Sequence, residues 1–92
     1  MTYKLVLQTE AISDINEGFI WYEEQLPGLG YELLQEIETS FDKLCQHPFL
    51  YTSINEYLRR IKVSRSLLIV YEVENEYVYI NSVKHSSRKP RY

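Results

Sequence analysis

One cysteine, three prolines and three glycines are all that this 92-residue chain contains of the residues that most constrain a backbone. The lone Cys45 excludes an internal disulfide and carries no sign of an oxidising compartment. Only His47 and His85 could join it as soft or imidazole ligands, too few for a zinc cluster, so no metal or cofactor is expected. No apolar run approaches the ~20 residues needed to cross a bilayer, and the first residues lack the charged-then-apolar pattern of an export leader. The expectation is a cytoplasmic protein. Glycine-rich phosphate loops, nucleophile elbows, paired catalytic carboxylates and metal-binding helix motifs are missing too. With no repeat, linker or low-complexity stretch, residues 1–92 read as one domain.

What is present is a core's worth of apolar residues in two different periods. Tyr3-Lys4-Leu5-Val6-Leu7 is short and β-prone. Thr9 can cap a following helix, with Glu10 in its first turn. Ile12, Ile15, Phe19, Tyr22 and Leu26 then recur at helical spacing, and Asp14, Glu17, Glu24 and Gln25 fall on the opposite, wet face. Pro27-Gly28-Leu29-Gly30 ends that helix and turns the chain. A second stripe, Leu34, Ile37, Phe41 and Leu44 flanked by Leu33 and Cys45, runs to His47-Pro48, which stops it. The remaining helical acids, Glu23 included, read as solvated.

After a loop over Phe49–Asn55 the period changes. Tyr57–Val63, Leu67–Val73 and Tyr77–Val83 read as strands whose three-residue connections can join only antiparallel neighbours. The fold class that follows is α+β in the order β-α-α-β-β-β, with a mainly antiparallel sheet covered on one face by a helical hairpin.

Charge divides along the same line. From Arg59 onward eight basic residues face three glutamates, whereas before it two lysines face ten carboxylates. One half therefore suits an anionic partner. Strand parity places Arg60 and Lys62 opposite Ile61 and Val63, and so on the uncovered face. On the last strand the same alternation puts Val78, Ile80 and Ser82 inward. Tyr77, Tyr79, Asn81, Val83 and His85 then fall outward. Arg60, Lys62, Tyr79 and His85 would then gather on one open face, beside Arg65 and the basic tail Arg88–Tyr92. Guanidinium and ammonium groups there can hold phosphates.

The succession Ala11-x-x-Asp14-Ile15, Trp21-Tyr22-Glu23, Pro27-Gly28-Leu29-Gly30, His47-Pro48, Arg59-Arg60, Val70-Tyr71-x-Val73 and His85-x-x-Arg88-x-Pro90 resembles the RelE/ParE family of bacterial toxins over nearly the whole chain. The resemblance implies a sheet-plus-hairpin fold and a cognate antitoxin, encoded beside the toxin, that wraps over it and blocks it. An assembly of two toxin–antitoxin heterodimers is one expected form.

It also implies one of two activities. ParE-like members bind and poison DNA gyrase; RelE-like members cut messenger RNA in the ribosome through attack of a ribose 2′-hydroxyl on the adjacent phosphate. In the second case Arg60, Lys62 and Arg65 match the basic residues of the cleavage site, and His85 with Tyr92 would handle protons. Arg59, Arg88 and Arg91 are expected to meet acidic groups of the antitoxin. After Arg65, Ser66-Leu67-Leu68 stands where Phe-Pro-Tyr is usual in that family, and the Trp21 and Pro27 blocks resemble the ParE side. Poisoning of gyrase is the favoured expectation; messenger cleavage, or binding without toxicity, are the alternatives.

Overall fold

The computed structural model describes residues 2–63 and 67–85. The chain forms β1 (Lys4–Leu7), α1 (Thr9–Gln25), α2 (Leu29–Gln46), β2 (Thr52–Ser53), β3 (Leu58–Lys62), β4 (Leu67–Glu74) and β5 (Tyr77–His85). The strands make one sheet in the order β1-β5-β4-β3-β2, with β1 parallel to β5 and every other pair antiparallel. This is the expected α+β arrangement with one addition, the two-residue β2 inside the anticipated loop. β2 is too short to leave a period in the sequence. It is held by its turn, where Ile54 N donates to Leu58 O and the Asn55 side-chain oxygen accepts from Tyr57 N and Leu58 N.

The hairpin of α1 and α2 covers one face of the sheet. Leu33, Ile37, Phe41 and Leu44 of α2 join Leu67, Ile69, Tyr71, Val78 and Ile80 in a single buried cluster. The second stripe thus faces the core as its spacing predicts, with the buried centre falling on Leu33 rather than on half-buried Leu34. Gly28, at φ 98°, is the left-handed residue that re-aims the chain between the helices. Glu23 is not simply solvated: its Oε1 accepts from Gly28 N and Gly30 N, both at 2.8 Å, and so satisfies amides at the start of α2.

The first helix departs from its apolar stripe. Ala11, Asp14 and Gly18 are its buried residues, while Ile12 is 46% exposed and Leu26, just past the helix end, 57% exposed. Small residues let α1 lie close to its neighbours; a Cβ added at Gly18 would stand 3.1 Å from Leu33 Cδ2. The helix is therefore rolled towards Ala11 and Gly18, with Ile15, Phe19 and Tyr22 half-buried beside them. Asp14, expected on the wet face, is carried inward. Thr9 is the first helical residue and Gln8 the cap, with no side-chain hydrogen bond, so the expected threonine cap is not formed.

A β-bulge decides the other half of the sheet. Val70 lies opposite Ser82 but Tyr71 lies opposite Ile80, which leaves Asn81 as an extra residue in β5. Alternation restarts there. Val83, across from Ile69, and His85, across from Leu67, turn to the helix-covered face, reversing the sidedness expected for them.

Candidate functional site

Arg60 and Lys62 project from the open face of β3, both exposed, as their parity predicts. No carboxylate among the described residues pairs with either. They border a groove of about 390 Å3 where the end of α2 passes β3, together with Leu50, Thr52, Ile61 and Val63. Across the open face Tyr79 is half-buried opposite Glu72, whose Oε1 accepts a 3.3 Å hydrogen bond from Asn81 Nδ2.

His85 is not with them. It sits under α1, its Nδ1 3.0 Å from Tyr22 Oη, and the two rings meet edge to face at 4.7 Å. The proton-handling residue anticipated beside Arg60 is thus on the opposite face of the sheet and two strands away, because Asn81 bulges. Arg65, Arg88, Arg91 and Tyr92 lie outside the described residues.

Arg59 is engaged within the fold. Its Nη1 donates to Tyr51 O at 2.8 Å and to Phe49 O at 3.3 Å, and the guanidinium stands 5.2 Å from the centre of the Phe49 ring. Through that one nitrogen it fastens the segment after α2 to the sheet. Nearby, Tyr71 Oη donates to Pro48 O at 2.6 Å, and burial pushes its phenol up to about 12 against a smaller lowering by Arg59.

Asp14 is the residue that composition and period concealed. Its Oδ2 accepts from Val83 N at 2.9 Å and its Oδ1 from Lys84 Nζ at 3.0 Å, while Lys84 also meets Glu10 at 2.8 Å. These contacts, Glu10 first, raise the Lys84 ammonium above its ordinary value. β1 pairs with β5 only as far as Ile80, so the carboxylate supplies Val83 with the acceptor that a longer β1 would have supplied. The signal available in the sequence is the helical spacing of Asp14 from Ala11 and Gly18, which puts the acid on the same helix face as the two small residues. Cys45 is buried, as a small core residue would be, and its thiol is raised by burial and then by Asp42.

A helical hairpin on a five-stranded, mainly antiparallel sheet is the RelE/ParE-like fold. Solved structures share it, three among them as follows. A ParDE toxin–antitoxin system from P. aeruginosa matches with TM-score 0.78 and 16% identity, covering 91% of this chain and 96% of that one. The RelBE2 toxin–antitoxin complex from Mycobacterium tuberculosis matches at 0.67 and 19%, covering 92% and 99%. The YoeB dimer from Staphylococcus aureus matches at 0.65 and 14%, covering 92% and 98%. No curated protein matches the chain in sequence. The family model for the ParE toxin of the type II toxin–antitoxin system ParDE, however, matches residues 5–90. The chain belongs to the ParE toxin family.

Proposed function

We propose that this protein arrests bacterial growth as the toxin of a type II pair, is silenced by a cognate antitoxin, and acts by poisoning DNA gyrase rather than by cutting messenger RNA. The observation that carries the choice of target is the position of His85. Cleavage of a phosphodiester needs groups that move protons as well as cations that stabilise the transition-state charge. Arg60 and Lys62 can supply the second; His85, turned under α1 against Tyr22, is not placed to supply the first. A face of unpaired cations beside half-buried Tyr79 suits binding without chemistry. The reading of messenger cleavage keeps one supporting observation, two exposed cations side by side in register on one strand face.

The test is induction of the protein with and without the neighbouring open reading frame. Growth arrest relieved by the neighbour, with gyrase trapped on linearised plasmid in a purified reaction, is the expected result. Ribosome-dependent messenger cuts that disappear in Arg60→Ala, with no trapped gyrase, would replace this target by the ribosome. Unimpaired growth despite folded, soluble expression would remove the toxin reading altogether.

A further inference from the structure

Along α1 the residues Glu10, Asp14, Glu17, Trp21 and Glu24 recur at helical spacing on one stripe, and the helix carries no lysine or arginine. The first part of the stripe is answered from β5, where Lys84 Nζ reaches Glu10 at 2.8 Å and Asp14 at 3.0 Å. Farther along, Glu17 and Glu24 stand at the rim of a hollow of about 360 Å3 whose apolar walls are Ile20, 56% exposed, and half-buried Trp21. Among the described residues no lysine or arginine pairs with Glu24.

The end of β5 lies beside this hollow. The bulge at Asn81 carries His85 to the helix-covered side, where its ring meets Tyr22 at 4.7 Å, and Tyr22 in turn meets Trp21 edge to face at 4.9 Å. Two ring contacts therefore lead from the last residue of the strand to the wall of the hollow. The residues that follow in sequence are Ser86-Ser87-Arg88-Lys89-Pro90-Arg91-Tyr92. An extended chain covers roughly 10 Å in three residues, so Arg88 is the first cation within reach.

We propose that the hollow on α1 holds the chain's own segment Arg88–Arg91, continuing down the stripe the pairing that Lys84 begins. Arg88 and Arg91 meet the carboxylates of Glu17 and Glu24, and their stems, with Pro90 between them, cover Ile20 and the Trp21 indole. Seated there, the arginines are withheld from a partner's acids, so a partner that uses them must first lift the segment off α1. The inference does not depend on the toxin reading.

Three considerations select this occupant. The acids of the stripe attract a basic segment and repel a nucleic acid or an acidic peptide. The tether is only two serines long, which gives the segment an effective concentration of roughly millimolar order that a separate basic peptide must exceed. The open face of the sheet, the other place within its range, already presents Arg60 and Lys62, whose charge repels it.

Trp21 is the sole tryptophan, so its fluorescence reports on the hollow directly. The experiment is acrylamide quenching of the full chain. Arg88→Glu combined with Arg91→Glu should raise the quenching constant about twofold, as should about 1 M sodium chloride on the unaltered chain, whereas Lys62→Glu on the open face should change it by less than about a fifth. Adding Glu17→Arg and Glu24→Arg to the two reversals should restore the original value, because the pairs form again with their signs exchanged. Circular dichroism and melting confirm that each variant is folded, and Arg88→Gln with Arg91→Gln, expected to have a smaller effect of the same sign, serves if the reversals are not. Quenching unchanged by the arginine substitutions, or not restored by the exchange of charge, would overturn the proposal. So would a quenching constant that depends on protein concentration between about 1 and 100 µM, the mark of a segment borrowed from a second copy.

Discussion

Replacing Asp14 by alanine removes an acceptor from a place that water does not reach. Asp14 is 9% exposed, and Val83, whose N–H it receives, is 3% exposed. A hydrogen bond to a charged group contributes roughly 1.5–3 kcal/mol, and a buried donor left without a partner costs roughly 1–3 kcal/mol. The lost contact with Lys84 adds little, since that side chain is 54% exposed and exposed ion pairs contribute roughly 0–1 kcal/mol. The expected loss for Asp14→Ala is therefore about 3 kcal/mol, most of it from the Val83 amide. For a domain of this size that lowers Tm by roughly 12–24 °C. Asp14→Asn, which keeps an acceptor for Val83, should lose about 1 kcal/mol, and Lys84→Ala less than that. Urea titration and thermal melts followed by circular dichroism measure all three. A fall in Tm below about 3 °C for Asp14→Ala, or equal losses for Asp14→Ala and Lys84→Ala, would refute the reasoning that the carboxylate acts chiefly as the missing end of β1.

Tyr71 sets an alkaline limit: with its phenol raised to about 12, the unfolded chain loses that proton first, and stability falls between pH 10 and 12 by roughly 2–3 kcal/mol in total. Tyr71→Phe should lose about 1 kcal/mol at pH 8 yet flatten that slope, and an unchanged slope in urea titrations at pH 8, 10 and 11 would contradict it. Glu23→Ala should cost about 1 kcal/mol by uncapping α2, with amide exchange accelerating first at Gly28 and Gly30; uniform acceleration along α2 would argue against capping. Gly30→Ala should cost about 1–3 kcal/mol, because the new Cβ would stand 2.7 Å from Phe19 Cδ1 and from Glu23 Cγ, and a neutral melt would show that Phe19 yields. Cys45 should react with a thiol reagent at pH 8 only as fast as the fold opens; immediate labelling would contradict its burial.

The sequence by itself determined the parts whose signal is local. The second helix was legible because Ile37, Phe41 and Leu44 recur at its own period and all face one core. The hairpin turn was legible because Gly28 accepts the φ of 98° that it requires. Arg60 and Lys62 were placed correctly because no irregularity interrupts β3, so alternation holds along it. Tertiary structure decided whatever depended on how two elements meet. The buried face of α1 is made by Ala11 and Gly18, whose smallness permits close approach and leaves no mark in a hydrophobic stripe, so the apolar period alone puts Asp14 on the wet side and Ile12 in the core. The side of the sheet that His85 occupies turned on one extra residue, Asn81, opposite the step from Val70 to Tyr71. A bulge is a property of two strands in register, and since side chains alternate with period two, one inserted residue reverses everything beyond it.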